Sequence, residues 1–137
     1  MVIYIYTDGA SRGNPGRSAS GFLAVDENGS RLYEESFYNG IKTNNEAEYI
    51  ALIGALRKVA ESYGYSAELV IYSDSELMVN QISGRFRVRR RHLIELNGEA
   101  LSLLSKFSRY EIKSVRREEE HITHVDRNLN RLLDKLR

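Results

Sequence analysis

Two apolar runs in this sequence each lead directly into an aspartate. The run VIYIYT at 2–7 precedes Asp8, and the run ELVIYS at 68–73 precedes Asp74. Their β-branched and aromatic residues predict buried strands, and a carboxylate at the end of a buried strand is unfavourable unless something pairs with it. A third acid, Glu48, lies on the apolar side of a predicted helix. Three acids that converge from separate elements indicate a site for a divalent cation.

The distribution of apolar and turn-forming residues predicts an α/β fold. Strands are predicted at 1–8, 19–25, 31–39, 67–73 and 109–115, and helices at 43–62, 75–82, 92–106 and 124–137, with a loop at 9–17 and a turn at 26–29. The order βββαβααβα predicts a five-stranded mixed sheet with helices on both faces. The first and fourth strands are predicted to be parallel neighbours, so both aspartates fall at the carboxyl ends of strands, where such sheets bind ligands.

Length and composition predict a single domain over residues 1–137. A hydrophobic content of 42% and a charged content of 28% suit one globular core. No apolar run approaches the roughly 20 residues of a membrane span, and no signal-peptide pattern is present, so no membrane partner is expected. The absence of cysteine excludes a thiolate metal site and favours a cytoplasmic protein. The chain also lacks a P-loop and a G-x-G-x-x-G motif, so no nucleotide cofactor is expected.

Arginines concentrate in one short stretch, which we call the arginine segment (residues 85–91). It contains Phe86 and no acid, and its basic residues are Arg85, Arg87, Arg89, Arg90 and Arg91. A solvated charged loop is the ordinary interpretation of such a stretch. The alternative is a patch that binds the phosphates of a nucleic acid.

Glu46 and Glu48 are close together but have different predicted roles. Thr43 and Glu46 fit a capping box, in which each side chain bonds the other residue's backbone N–H at the start of a helix. Glu48 instead is in line with the apolar positions that should face the sheet, which are Leu52, Ala55, Leu56 and Val59. Capping therefore explains Glu46, whereas metal binding is the better explanation for Glu48.

Asp8 and Asp74 also have structural interpretations. Asp8-Gly9 is a common turn pair, and Asp74 is a possible N-cap for the next helix. Both structural interpretations become weaker when the two acids are considered together, because Asp8 and Asp74 end adjacent strands beside the start of the Glu48 helix. A carboxylate-only site suits Mg²⁺ or Mn²⁺, and two such ions roughly 3.5–4 Å apart can support the in-line displacement of a phosphoryl group by water.

Three strings of the sequence, TDGASRGNPG, TNNEAEY and YSDSELMVNQ, resemble motifs of the type 1 ribonucleases H, and they occur in the family's order over nearly the whole chain. The resemblance implies a ribonuclease H-like fold and a monomeric endonuclease. Such an enzyme cuts the RNA strand of an RNA–DNA hybrid with two Mg²⁺ ions, for which Mn²⁺ is a possible substitute, and leaves 3′-hydroxyl and 5′-phosphate ends. By motif match, Asp8, Glu48 and Asp74 take the places of three of the family's four catalytic, metal-binding acids.

The resemblance also implies contacts with the hybrid. The amides of Gly9, Ala10 and Ser11 match contacts to RNA 2′-hydroxyls, the groups that distinguish RNA from DNA. Thr43 matches part of a pocket for a DNA phosphate. The long basic protrusion of some family members is absent here, so Phe86 and its neighbouring arginines are expected to replace it. Arg90 stands where the family has a pocket asparagine. Contacts in the minor groove match Asn14, Asn44 and Asn45.

The family's fourth acid has three candidates in this chain. Asp134 ends a local string, HVDRNLNRLLD, that is similar to the R-x-x-N-x-x-x-D pattern of compact family members. The apolar face of the last helix, however, indicates that the helix is already running by Val125. At 1.5 Å per residue, Asp134 would then lie about 12 Å beyond Asp126 along the helix. Asp126 has the better offset from the preceding strand and is favoured, although Ile122 stands where an asparagine is usual. Asn128 matches longer-loop members by spacing alone.

Two histidines and three other classes of protein are alternatives to a four-acid type 1 ribonuclease H. His121 and His124 lie before the last helix, where a titrating group can assist proton transfer; a bystander role is the ordinary interpretation of a loop histidine. A non-catalytic module that binds hybrids or double-stranded RNA is the alternative function. Proofreading-type exonucleases have Asp-x-Glu on the first strand, where this chain has Ala10 after Asp8-Gly9. Type 2 ribonucleases H place a glutamate where this chain has Gly9.

Overall fold

A computed structural model describes residues 1–136. Its elements follow the predicted order βββαβααβα, and their bounds are β1 Val2–Gly13, β2 Gly16–Val25, β3 Arg31–Lys42, α1 Asn44–Tyr63, β4 Glu68–Ser73, α2 Glu76–Ile82, α3 Arg91–Ser105, β5 Arg109–Ser114 and α4 Glu120–Lys135. The five strands form one sheet in the order β3-β2-β1-β4-β5. β1 is antiparallel to β2 and parallel to β4, as the mixed-sheet prediction requires. None of the helices in residues 1–136 has the length and apolar character that a membrane crossing needs.

Helices cover both faces of the sheet. On one face, Ile3 and Ile5 of β1 and Ile71 of β4 pack against α1, α2 and α3. On the other face, α4 packs its apolar stripe on β2, where Leu23 is buried beside Leu129. The alternation along β1 explains this division, because successive side chains of a strand point to opposite faces.

The predicted loop at 9–17 is wrong, because β1 continues through it to Gly13. Its glycine- and serine-rich residues pair with β2, from Asp8 opposite Gly21 to Gly13 opposite Gly16. Pairing with a neighbouring strand overrides the weak strand preference of these residues. β1 and β2 therefore form a long hairpin that extends beyond β4, whose pairing with β1 ends at Thr7 opposite Ser73. β3 follows β2 to the end of this hairpin, where Lys42 lies opposite Gly16.

Two further boundaries differ from the prediction. α4 begins at Glu120, four residues before the predicted start, because the carboxylate of Glu119 caps it by accepting the N–H groups of His121 at 2.6 Å and Ile122 at 3.1 Å. β3 ends at Lys42 rather than at residue 39. The turn between β2 and β3 is as predicted, and Gly29 adopts a φ of 81° there, a conformation that favours glycine.

Candidate active site

β1 and β4 diverge where the two aspartates lie, and we call this point of divergence the fork. The parallel pairing of these strands ends with Thr7 opposite Ser73, so Asp8 and Asp74 are the first residues beyond it. β1 then continues beside β2, while the chain after β4 turns into α2. Ser75 is the N-cap of α2, and its Oγ accepts the N–H of Met78 at 3.2 Å. The turn interpretation of Asp8 and the N-cap interpretation of Asp74 are therefore both wrong.

Glu48 reaches the fork from the first turns of α1. The predicted capping box is present: Thr43 Oγ1 accepts the Glu46 N–H at 3.1 Å, and Glu46 Oε1 accepts the Thr43 N–H at 2.9 Å. Gly9 lets α1 approach β1 closely, because a Cβ at this position would lie 2.4 Å from the carbonyl carbon of Ala47. Only glycine fits such an approach, and the approach brings Glu48 beside Asp8.

The three acids converge. One carboxylate oxygen from each of Asp8, Glu48 and Asp74 lies within 4.8 Å of the other two. Asp8 is 4% exposed and Glu48 is 8% exposed. Oε1 of Glu48 and Oδ1 of Asp74 are buried without a hydrogen-bond partner in residues 1–136. Buried oxygens of this kind are costly unless something binds them, and an all-carboxylate set suits a hard divalent cation.

The electrostatics of the cluster lead to the same conclusion. Burial, the charge of Asp74 and a hydrogen bond with Asp126 raise the pKa of Asp8 from 3.8 to about 9. Burial and the charges of Asp8 and Asp74 raise the pKa of Glu48 well above its usual 4.5. The backbone N–H of Gly9 lowers the pKa of both carboxyl groups in part. Without a cation, like-charged carboxylates this close resist ionisation.

Asp126 is the candidate fourth acid that the structure brings to the cluster. It lies on α4, close enough to Asp8 for their carboxyl groups to share a hydrogen bond. Asp134 lies farther along the helix, is 60% exposed and binds Arg12 Nη2 at 2.7 Å. Asn128 contacts Nε2 of His124 at 3.3 Å instead. The geometry thus favours Asp126; its catalytic role stays a prediction.

The acids line a cleft of about 440 Å³, which we call the acid cleft. Three further residues of this cleft were not singled out from the sequence. Arg12 lines the cleft because β1 continues to Gly13. Arg117 precedes α4 in a charged run that has no distinctive pattern. Asn130 is one helical turn beyond Asp126, and it is also the asparagine of the R-x-x-N-x-x-x-D string that ends at Asp134. The full lining is Asp8, Gly9, Ala10, Ser11, Arg12, Asn44, Glu48, Asp74, Arg117, Asp126 and Asn130.

Several predicted substrate contacts bond to one another in the protein. Asn44 Oδ1 accepts the Ser11 N–H at 2.8 Å, and Asn14 Oδ1 accepts the Asn44 N–H at 3.1 Å. These bonds tie the β1–β2 hairpin to the start of α1, next to Thr43. The side-chain amides of Asn14 and Asn44 keep their N–H groups for other partners, so they retain donors for base or sugar acceptors.

The remaining predicted contacts lie outside the cleft. Asn45 is half-buried in α1, Phe86 is 49% exposed, and Arg90 is the N-cap of α3 without a side-chain capping bond. His121 stacks on Tyr6, with ring centroids 4.2 Å apart.

Neither histidine lines the acid cleft. His121 Nδ1 is 2.8 Å from Glu119, and His124 Nε2 is 2.6 Å from Glu34 on β3. The structure therefore does not bring either histidine together with the acids of the cleft, and both contact glutamates elsewhere.

Comparisons with known proteins agree with this geometry. A family model described as "Reverse transcriptase-like" matches residues 6–136. The ribonuclease HI of Halobacterium salinarum is 35% identical over 98% of this chain and 61% of its own length. A bifunctional protein of Mycobacterium tuberculosis is 37% identical over 98% of this chain and 36% of its own length. The chain therefore spans less than two thirds of these curated relatives.

Solved structures match more fully. The RNase H1 structure from H. salinarum has a TM-score of 0.91 and 34% identity, and the match covers 98% of this chain and 99% of that one. LC11-RNase H1 in complex with an RNA/DNA hybrid has a TM-score of 0.90 and 35% identity, with 98% of each chain covered. The sheet order, helix placement and acid cleft define a ribonuclease H-like domain. The chain belongs to the type 1 ribonuclease H family.

Proposed function

We propose that this domain hydrolyses the RNA strand of RNA–DNA hybrids by an endonucleolytic, metal-dependent reaction. The observation that carries the proposal is the convergence of Asp8, Glu48 and Asp74, each with one oxygen within 4.8 Å of the other two. Two of their oxygens are buried and have no hydrogen-bond partner among residues 1–136. Hybrid is the proposed substrate because LC11-RNase H1, a relative of the same fold, is in complex with an RNA/DNA hybrid.

The acid cleft is suited to hold divalent ions, with Mg²⁺ as the proposed cofactor and Mn²⁺ as a substitute. Asp8, Glu48, Asp74 and Asp126 supply only carboxylate oxygens, the ligands that these ions prefer. Bound as a pair, such ions supply an activated water and charge neutralisation at the phosphate. The N–H of Gly9 favours the ionised forms of Asp8 and Glu48 in part, since it lowers the pKa of both.

The reaction replaces one phosphorus–oxygen bond with another. A water oxygen bonds to the phosphorus and gives up a proton to the solvent, and the bond from phosphorus to the 3′ oxygen breaks. The 3′ oxygen takes a proton from the solvent and leaves as a hydroxyl. The products carry 5′-phosphate and 3′-hydroxyl ends. Arg12 and Arg117 line the same cleft as the acids, where their positive charge favours a phosphate of the backbone.

Residues around the cleft are proposed to bind the hybrid. Ala10 and Ser11 face the cleft with Gly9, and their proposed partner is the RNA 2′-hydroxyl. Asn44, which also lines the cleft, is proposed to contact the minor groove together with Asn14 and Asn45. The other proposed contacts are Thr43 at a phosphate, and Phe86 and Arg90 on the DNA strand. Exposed Phe86 suits stacking or packing against a nucleic acid.

Incubation with end-labelled RNA–DNA hybrid, RNA duplex and DNA duplex tests the proposal. Each substrate is incubated with Mg²⁺, with Mn²⁺ and with a chelator, and the ends of the products are analysed. We expect internal cuts in the RNA strand of the hybrid only, dependent on the metal. Binding of the hybrid without cleavage under every condition would instead support a non-catalytic binding module.

The proposal includes a monomeric protein that acts in the cytoplasm without a nucleotide cofactor. A chain without cysteine is compatible with a reducing compartment. Light scattering on the purified protein tests the monomer, because a dimer would double the mass of 15.7 kDa.

A further inference from the structure

Asn130 contacts the candidate fourth acid directly. It lies one turn after Asp126 on α4, and its Nδ2 donates to the Asp126 carbonyl at 2.9 Å and to Asp126 Oδ1 at 3.1 Å. The second of these bonds is made to the carboxylate itself. It restrains the side-chain rotation of Asp126, which is half-buried beside Asp8.

The orientation of the Asn130 amide is determined by its other partner. Arg12 Nη2 donates to Asn130 Oδ1 at 3.3 Å and to the Asn130 carbonyl at 3.2 Å. A guanidinium only donates, so the amide oxygen must face Arg12 and the amide nitrogen must face Asp126. Arg12 is in turn held by Asp134 at 2.7 Å.

These contacts form a continuous chain from Asp134 through Arg12 and Asn130 to Asp126. Its last member lies against the carboxyl of Asp8. An aspartate next to other acids is repelled when ionised, and its side chain tends to turn towards solvent. A donor that bonds its carboxylate opposes that movement.

We propose that Asn130 is a positioning residue that keeps the carboxylate of Asp126 in the acid cleft, ready to bind a divalent cation. Arg12 and Asp134 hold the Asn130 amide in the orientation that this role requires. The inference rests on the proposed function, because it requires Asp126 to be a metal ligand.

A purely structural role for Asn130 is the competing explanation, since its bond to the Asp126 carbonyl lies within one helix. The two explanations differ in what they predict for cation affinity. A structural role changes the stability of α4 without a specific effect on the cation. A positioning role acts through Asp126 and disappears when Asp126 is removed.

Calorimetric titration with Mn²⁺, in the absence of nucleic acid, separates the two explanations. The variants are Asn130→Ala, Asp126→Ala and the double variant, and Asn128→Ala is the matched control because it removes the same side chain from the same helix. We expect Asn130→Ala to weaken Mn²⁺ binding roughly 10- to 100-fold, the usual effect of losing a residue that orients a ligand. The kcat on hybrid should fall while KM stays unchanged, and Asn128→Ala should match the parent protein.

The double variant decides how Asn130 acts. We expect Asn130→Ala to add less than about twofold in the Asp126→Ala background, because its effect passes through Asp126. Full additivity would overturn the positioning role. If Asp126→Ala weakens Mn²⁺ binding and Asn130→Ala does not, the positioning role is also overturned, whereas the proposed nuclease site is not. If Asp126→Ala itself changes neither binding nor cleavage, Asp126 is not a ligand and both assignments are wrong.

Asn130→Leu guards against loss of the fold. Leucine has the same branched arrangement of four side-chain heavy atoms as asparagine and a higher helix propensity, so α4 should remain intact while the hydrogen bond is lost. We expect the same weakening of Mn²⁺ binding as for Asn130→Ala. Unchanged Mn²⁺ affinity in a folded Asn130→Leu protein would contradict the proposal.

Discussion

The acid cleft and the arginine segment differ in how the chain holds them. Asp8 and Glu48 are nearly buried, and they are fixed by strand pairing, a capped helix and the close approach at Gly9. The arginine segment follows α2 and ends at the first residue of α3, and within the described residues of the chain Val88 is its only member that packs on the core. Within residues 1–136, none of its arginines forms an ion pair, although Arg85 contacts Asn80.

This difference assigns different tasks to the two regions. Groups that must meet at fixed distances are held by the core, because catalysis depends on geometry. Groups that bind phosphates act through charge and tolerate mobile side chains. A change in the acid cleft should therefore alter the rate at saturating substrate, and a change in the arginine segment should alter affinity.

The largest expected effect is on the chemistry at the acid cleft. Asp8→Asn should lower kcat on hybrid by about 10³-fold or more, because it removes several kcal/mol of metal-based stabilisation of the transition state. Binding of the hybrid should persist. The control is Asp26→Asn in the β2–β3 turn, where an amide oxygen can still accept the N–H groups of Asn28 and Ser30. Parental cleavage by Asp8→Asn would remove the distinction between the two regions.

A second effect concerns stability without metal. The pKa of Asp8 is raised from 3.8 to about 9, so between these values the folded protein holds a proton that the unfolded chain has released. Stability should therefore fall as pH rises through this window, by up to about 1.4 kcal/mol per pH unit for one proton. The raised pKa of Glu48 acts in the same direction.

Urea unfolding in chelator at pH 5, 7 and 8 measures this dependence. The groups around Asp8 are Glu48, Asp74, Asp126 and the Gly9 N–H, with Arg117 on the cleft wall. Asp8→Asn should flatten the profile, whereas Asp26→Asn should leave it unchanged. Parallel profiles for the parent and Asp8→Asn would show that the folded protein does not retain the Asp8 proton.

The third effect tests the close approach that aligns Glu48. Gly9→Ala should destabilise the protein by about 1–3 kcal/mol, the usual cost of overpacking, and should lower kcat as α1 moves away. Gly98→Ala is the control: no atom lies within 4 Å of its added Cβ in α3, so it should stabilise the helix by about 0.5–1 kcal/mol. Thermal unfolding and hybrid cleavage measure both. Parental stability of Gly9→Ala would mean that α1 is not held there.

The smallest expected effect lies in the arginine segment. Arg90→Ala should raise KM for hybrid by roughly tenfold at most, with kcat unchanged, and should lower the slope of log affinity against log salt by about one. Arg109→Ala, at the amino end of β5, is the control for loss of one exposed positive charge. If Arg90→Ala lowers kcat at saturating hybrid, the arginine segment contributes to the catalytic step, and the two regions do not divide rate and affinity between them.

Local sequence patterns were sufficient to predict much of the fold and of the candidate site. The apolar runs before Asp8 and Asp74 predicted two neighbouring strands, and the helical phase of Glu48 predicted a side chain directed to the sheet. Each signal is local, since it depends on residues within a few positions. The structure brings the three acids together as that reasoning expects.

Features that depend on partners far along the chain were not predicted. Residues 9–13 resemble a loop in composition and become a strand only because β2 pairs with them. The start of α4 is a local feature that was also missed, because a glutamate is not a usual N-cap: Glu119 accepts the N–H groups of His121 and Ile122, two and three residues later. Arg117 and Asn130 enter the cleft only through the placement of α4 on the sheet, which no local pattern encodes.

The convergence of distant residues also links the ion to folding. Positions 8 and 48 come from β1 and α1, position 74 directly follows β4, and the three meet only in the native chain. On the proposed function, an ion held by all three favours the native chain by mass action, by about 1.4 kcal/mol for each tenfold rise of its concentration above the dissociation constant. The supply of divalent ions would then set the heat tolerance of the protein as well as its rate.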